Sequence, residues 1–254
     1  MSAGSIVFGL HAVRTLLQQR PERALLLLLQ KGREDARAKE LVHIAQRAGV
    51  RTEWRDAGEL ARLAGSERHQ GACLQVRAIG TLGEGALDEL LDRAAAPPLL
   101  LVLDGVQDPH NLGACLRTAD AAGVSAVIVP RDRAAGLSPT VRKVASGAAE
   151  TMPLIQVTNL ARTLRWLKQR EIWIVGTDDQ APTSLYQAKL AGPLAIVLGA
   201  EGAGLRRLTR ETCDLLVNIP MRGVVESLNV SVAAGIVLYE AVRQREGDRG
   251  LSRG

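Results

Sequence analysis

The apolar positions of this 254-residue chain fall into two regimes. Over residues 1–77, a helical spacing at 11–19 is followed by a leucine-rich run at 24–29 and a second helical spacing at 36–48, with Gly49 placed to end it. This pattern predicts a compact α/β unit. Residues 78–98 are rich in Gly and Ala and end in Pro97-Pro98, which disfavours helix, so a connector is expected there.

From residue 99 short continuous apolar runs alternate with helical spacings. The runs lie at 99–103, 124–129, 154–157, 172–175, 194–198 and 215–219, and the helical segments at 112–122, 140–145, 160–169 and 227–244. Runs of this kind separated by helices predict a parallel sheet covered on both faces. The expected fold class is α/β in two units, 1–77 and 99–245, with a flexible charged tail at 246–254.

Composition narrows the function. A hydrophobic share of 46% and a charged share of 23% are ordinary for a globular protein. The net charge of +5 mildly favours a polyanionic partner. Aromatics at 2% exclude a base-stacking sheet, so any RNA is gripped by Arg, Lys and backbone groups. Cys73, Cys115 and Cys213 are scattered and read as core thiols in a reduced compartment. His11, His43, His69 and His110 lack metal-ligand spacing, and no metal is expected. The run at 25–29 is far short of the ~20 apolar residues of a membrane span, and no secretory signal pattern opens the chain. A cytoplasmic protein without membrane contact is expected.

Three segments at predicted strand ends carry more polar and glycine residues than folding needs, and ligands of open α/β sheets bind beyond such ends. In the first, 104–120, Asn111 can cap the following helix, with Arg117 in its second turn near an anion-attracting helix start. A capped turn with Arg117 pairing Asp120 on the solvent face explains the same residues. In the second, 198–205, three glycines within 199–204 allow close backbone approach, and Glu201 can accept from a substrate or hold Arg117. A plain glycine turn fits equally, and neither GxGxxG nor GxxxxGK[ST] is present. In the third, 219–231, Ser227 and Asn229 lead into an apolar helix, as ligand groups or as a helix cap. No Ser/His/Asp order or paired carboxylates compete, so hydrolysis is poorly supported.

Together, NLGACLRTADAAG at 111–123, LGAEGAGL at 198–205 and IPMRGVVESLNVSVAAGIVLYEAVR at 219–243 resemble the three motifs of the SpoU (TrmH) family of RNA ribose methyltransferases, in the SPOUT superfamily. FGLHAV at 8–13 and HQGACLQV at 69–76 resemble the small L30e-like substrate domain of the branch acting on a guanosine of 23S rRNA. Further similarity to that branch lies in KVASGAAE at 143–150 and NLARTLRWLKQREIWIVGT at 159–177.

The resemblance implies a parallel-sheet domain with a deep trefoil knot, a homodimer with the active site at its interface, and S-adenosylmethionine as methyl donor. By motif it places Gly199, Ile219 and Leu228 around the adenosine, with Leu198, Met221, Ser227 and Asn229 nearby and Gly176 and Thr177 touching it. Asn111, Arg117, Glu201, Ser227 and Asn229 become the catalytic candidates. Arg117 is then central, either as base or as charge anchor. Arg14, Arg20, Lys31 and Arg33 of the first unit are expected to help select RNA, or to be solvated surface charge. Related enzymes act on tRNA, and two other classes compete: a non-catalytic RNA-binding or ribosome-assembly protein, and a Rossmann oxidoreductase, disfavoured by the missing GxGxxG.

Overall fold

Apolar runs that must be buried on both faces become inner strands, and this governs both units of the computed structural model, which describes residues 5–77 and 80–251. One unit comprises Met1–Gly80 with Ser146–Thr151, the other Thr81–Ala145 with Met152–Gly254.

In the first, β1 (Ser5–Phe8), α1 (Leu10–Gln19), β2 (Ala24–Gln30), α2 (Ala36–Arg47), β3 (Arg51–Arg55), α3 (Ala57–Ala64) and β4 (Ala72–Val76) follow in order. The sheet order is β1-β4-β2-β3, with β2 parallel to β3 and antiparallel to β4. Leu27 and Leu29 of β2 pack in one cluster with Leu16, Leu41 and Leu74, while Leu28 turns to Leu60 and Cys73. The leucine run is therefore continuous because helices cover both faces. Gly49, at φ 69°, follows α2, and Val50 N–H donates back to Ala45 O at 2.8 Å, closing the helix as expected. The apolar pattern does not predict β3, whose Arg51, Glu53 and Arg55 alternate with Thr52 and Trp54; backbone pairing to β2 makes it a strand.

The second unit contains α4 (Glu84–Asp92), β5 (Leu99–Asp104), α5 (Pro109–Ala121), β6 (Ala126–Pro130) and α6 (Pro139–Ala145). After α7 (Ala148–Thr151), which belongs to the first unit, come β7 (Leu154–Val157), α8 (Leu160–Gln169), β8 (Trp173–Thr177), β9 (Thr183–Ser184), β10 (Leu194–Gly199), α9 (Arg207–Thr212), β11 (Leu215–Asn218) and α10 (Val230–Leu251). The sheet order is β7-β6-β5-β10-β8-β11-β9, parallel throughout. Every residue of β5 and β6 is buried. On one face Leu100, Val102, Ile128 and Val197 pack with Leu164 and Leu167 of α8; α5 packs with α6 and α10.

Three expectations are corrected. The connector at 78–98 contains α4, whose Leu87 and Leu91 are buried one turn apart, and Leu82 bridges to Ile155; residues 78 and 79 lie outside the described residues. Its Gly and Ala content masked a short amphipathic helix. The last helix begins at Val230 rather than 227, because Asn229 caps it. It then runs to Leu251, so most of the expected flexible tail is helical, and residues 252–254 lie outside the described residues. Among the described residues, no helix is long and apolar enough to cross a membrane.

Candidate active site

The carboxyl ends of β5, β10, β8 and β11 lie level with one another. Asp104 is in register with Gly199, Gly176 with Val197, and Thr177 with Val217. From β5 the chain turns outward to β6, whereas from β10 it goes through α9 to β11 on the other side. Connections diverge between β5 and β10, which is where open α/β sheets leave a crevice.

The loop after β10 is held tightly. Ala200 and Gly204 exchange two backbone hydrogen bonds of 3.2 and 2.9 Å, and Gly204 adopts φ 63°. A Cβ on Gly199 would lie 2.1 Å from the Gly204 carbonyl carbon, so the close approach requires glycine. Glu201 stands exposed in this loop. The carboxylate that anchors the loop is Asp104, wholly buried at the end of β5. It accepts from Arg206 N–H at 3.0 Å and from the Arg206 guanidinium at 2.5 Å. Sequence reasoning passed over this pair, although an Asp ending the buried run Leu99–Asp104 needs a cation to offset its desolvation.

After β5, Asp108 is the helix cap: its Oδ1 accepts from His110 N–H at 3.0 Å. Pro109 starts the helix, so the expected capping role of Asn111 is corrected, and Asn111 lies in the first turn. Its Oδ1 accepts instead from the Asn229 side-chain amide at 2.9 Å. Arg117 lies in the third turn of α5 rather than the second, exposed, about 9 Å along the axis from Asn111.

The segment after β11 is open. Arg222 to Ser227 are exposed, with Val224 fully so, whereas Ile219, Met221 and Leu228 are half-buried. Asn229 caps α10 through its Oδ1, which accepts from Ser231 N–H at 2.9 Å and Ser231 Oγ–H at 2.6 Å. Ser227 is therefore not the cap. Asn229 thereby ties the starts of α5 and α10 together.

Below these loops, Gly176 is buried, and a Cβ there would meet Cys213 Sγ at 2.7 Å and Leu205 Cδ1 at 2.9 Å. Thr177 Oγ1 donates to Val197 O at 3.4 Å. Leu198 is 1% exposed, so its side chain belongs to the core and only its backbone lies at the strand end. Burial pushes the thiols of Cys73, Cys115 and Cys213 up to about 12, making them poor nucleophiles.

In the first unit, Arg14 pairs with Glu40, Lys31 with Asp56 and Arg33 with Asp35. Lys31 and Arg33 line an open depression of about 440 Å³.

This architecture has close counterparts. Residues 98–239 match the SpoU rRNA methylase family, and residues 6–81 match the RNA 2'-O ribose methyltransferase substrate-binding family. The chain belongs to the SpoU rRNA methylase family. It is 56% identical over 245 residues to the 23S rRNA (guanosine-2'-O-)-methyltransferase RlmB of Ralstonia nicotianae, covering 96% of this chain and 98% of that protein. It is 57% identical to the protein of the same name from Shewanella oneidensis, with 96% and 99% covered. Among solved structures, the SpoU methyltransferase AviRb from Streptomyces viridochromogenes, in complex with the cofactor AdoMet, superimposes with a TM-score of 0.70 at 25% identity, covering 96% of this chain and 92% of that one.

Proposed function

We propose that this chain transfers a methyl group from S-adenosylmethionine to the ribose 2′-hydroxyl of a guanosine in 23S rRNA. The observation that carries the reading is the convergence of level strand ends at Asp104, Thr177, Gly199 and Asn218 under three polar loops, in a chain similar over nearly its whole length to such enzymes.

The residues fit the methyl donor. Half-buried Ile219, Met221 and Leu228 offer apolar surface to an adenine, and the backbone at Gly176, Thr177, Leu198 and Gly199 offers polar groups at the strand ends. When bound, the sulfonium supplies an activated methyl: the ribose oxygen bonds to its carbon as the carbon–sulfur bond breaks, and the electron pair stays on sulfur. The chain's task is alignment of oxygen, carbon and sulfur, and stabilisation of the alkoxide as its proton passes to solvent water.

Arg117 supplies the positive charge for that oxygen and for an RNA phosphate, since a guanidinium in proteins is essentially always protonated and serves poorly as a base. Asn111 and Asn229, already bonded to each other, fix the ribose side of the pocket; Ser227 and Glu201, both exposed, contact the RNA or close over the donor. Residues 1–77 act as an L30e-like RNA-binding domain.

The active enzyme is a cytoplasmic homodimer whose interface completes the site. Supporting this, Val232 and Tyr239 of α10 are about half exposed, seven residues apart on one helical face, with Val224 and Val225 exposed before it. A trefoil knot is consistent with β10 lying between β5 and β8 while α10 returns to pack on α5 and β10.

The test is labelled-methyl transfer to unmodified 23S rRNA and to tRNA, with the product nucleotide mapped. Methylation of one guanosine ribose in 23S rRNA is expected; incorporation into tRNA alone, or none, overturns the substrate or the class. Arg117→Ala should abolish turnover while donor binding by calorimetry stays within about two-fold of wild type.

A further inference from the structure

Strand β6 flanks β5 on the side away from β10, and the turn that follows it, residues 131–138, leans on the β5 loop. Both ends of its first half are pinned. Arg131 N–H donates to Val157 O at 2.8 Å, and Ala135 N–H donates to Val106 O at 3.0 Å. Between them Arg133 adopts φ 56°, a left-handed conformation that arginine rarely takes. Its carbonyl oxygen lies 3.9 Å from where a Cβ on Gly105 would sit, so the turn abuts the segment leading to Asp108 and Asn111.

Arg131, Asp132 and Arg133 are all exposed. Neither of these two guanidinium groups has a hydrogen bond or ion pair among the described residues. Three cations elsewhere around the site differ, Arg206 being held by Asp104, Arg207 by Glu211 and Arg210 by Asp178, while Arg222 of the loop after β11 is exposed without such a pair among the described residues. Of the basic residues of the first unit that sequence reasoning favoured, Arg14, Lys31 and Arg33 are likewise matched by carboxylates, whereas Arg20 is exposed without such a pair among the described residues. A rigid, strained turn that presents two unmatched arginines beside a polyanion's reaction site has the form of a phosphate clamp.

Resting on the RNA-methylating reading above, we propose that Arg131 and Arg133 grip the RNA phosphate backbone next to the reacting nucleotide and set its register over the β5 and β10 loops. Their contribution is positional and independent of base identity.

The experiment compares wild type, Arg131→Ala/Arg133→Ala and Arg131→Lys/Arg133→Lys, using unmodified 23S rRNA and labelled donor. The double alanine variant should raise KM for RNA by roughly ten-fold or more, leave kcat at saturating RNA and donor affinity near wild type, and flatten the slope of log K against log salt by about 1.4 to 1.8. The lysine pair should recover most of that slope, which a merely structural role would not produce. Arg131→Ala alone, at an ordinary backbone conformation, should give about half the slope change and decides the matter if the double variant misfolds. An unchanged KM and salt slope in variants that fold, with wild type active, overturns the clamp. An inactive wild type overturns the methylation reading itself.

Discussion

Asp104 and Arg206 stand 102 residues apart in sequence, yet the buried carboxylate at the end of β5 accepts both the backbone N–H and the guanidinium of the residue that closes the β10 loop. One strand thus anchors the glycine loop of its neighbour. Asp104→Ala should lower stability by about 1.5 to 3 kcal/mol, the range for hydrogen bonds to charged groups, because Arg206 is half exposed and can turn to water. Asp104→Asn retains an acceptor and should lose less. Urea unfolding midpoints check the order; equal stability of all three forms would show that the pair contributes nothing.

The two buried-edge glycines should respond differently to a methyl group. At Gly199 the added carbon meets backbone atoms of Gly204 and Leu205 at 2.1 to 2.5 Å, so the loop itself must open. Gly199→Ala should therefore weaken donor binding by more than ten-fold in calorimetry. At Gly176 the neighbours are side-chain ends of Cys213, Leu205 and Leu216, which can shift. Gly176→Ala should cost about 1 to 3 kcal/mol of stability with a smaller effect on binding.

Asn229 performs two tasks that substitution can separate. It caps α10 and donates to Asn111. Asn229→Ala should lose both, at about 1 to 2 kcal/mol for the cap. Asn229→Asp keeps the cap but has no amide to donate, so thermal stability should return toward wild type while turnover stays low. Recovery of turnover in the aspartate variant would show the Asn111 bond to be dispensable.

Alkaline pH should destabilise the fold through its thiols. Burial raises Cys73, Cys115 and Cys213 to about 12 in the folded state, above the ordinary thiol value of about 8.5. Their contribution is complete below pH ~8.5 and is lost as pH rises toward 12, since the unfolded chain releases protons that the folded one keeps. By pH 10 the loss should reach about 1 to 2 kcal/mol per thiol. Urea midpoints at pH 8 and pH 10 measure it, and Cys115→Ala should make that drop shallower.

Much of this architecture is legible along the chain because it is local. The segments 154–157 and 160–169 coincide with β7 and α8, since a continuous apolar run and a 3.6-residue spacing are properties of neighbouring residues. The reading faltered where tertiary context decides. Arg51–Arg55 is a strand only because β2 lies beside it, and Glu84–Asp92 is a helix whose Leu87 and Leu91 join the second unit's core. Among the strand-end loops, the close backbone approach at Gly199 was legible from its glycine spacing. The exchange of capping roles at α5 was not, because Asn111 competes with Asp108 three residues earlier, and Pro109 between them fits the first helical position.

The sequence by itself determined the α/β alternation, the polar and glycine-rich character of three strand ends, and the family to which their motifs belong. Only the tertiary structure decided that β10 inserts beside β5, that Asp104 anchors Arg206, and that Asn111 meets Asn229. The reason is physical: propensity and periodicity act over a few residues, whereas strand order and buried charge pairing are settled by which distant groups can satisfy one another once water is excluded.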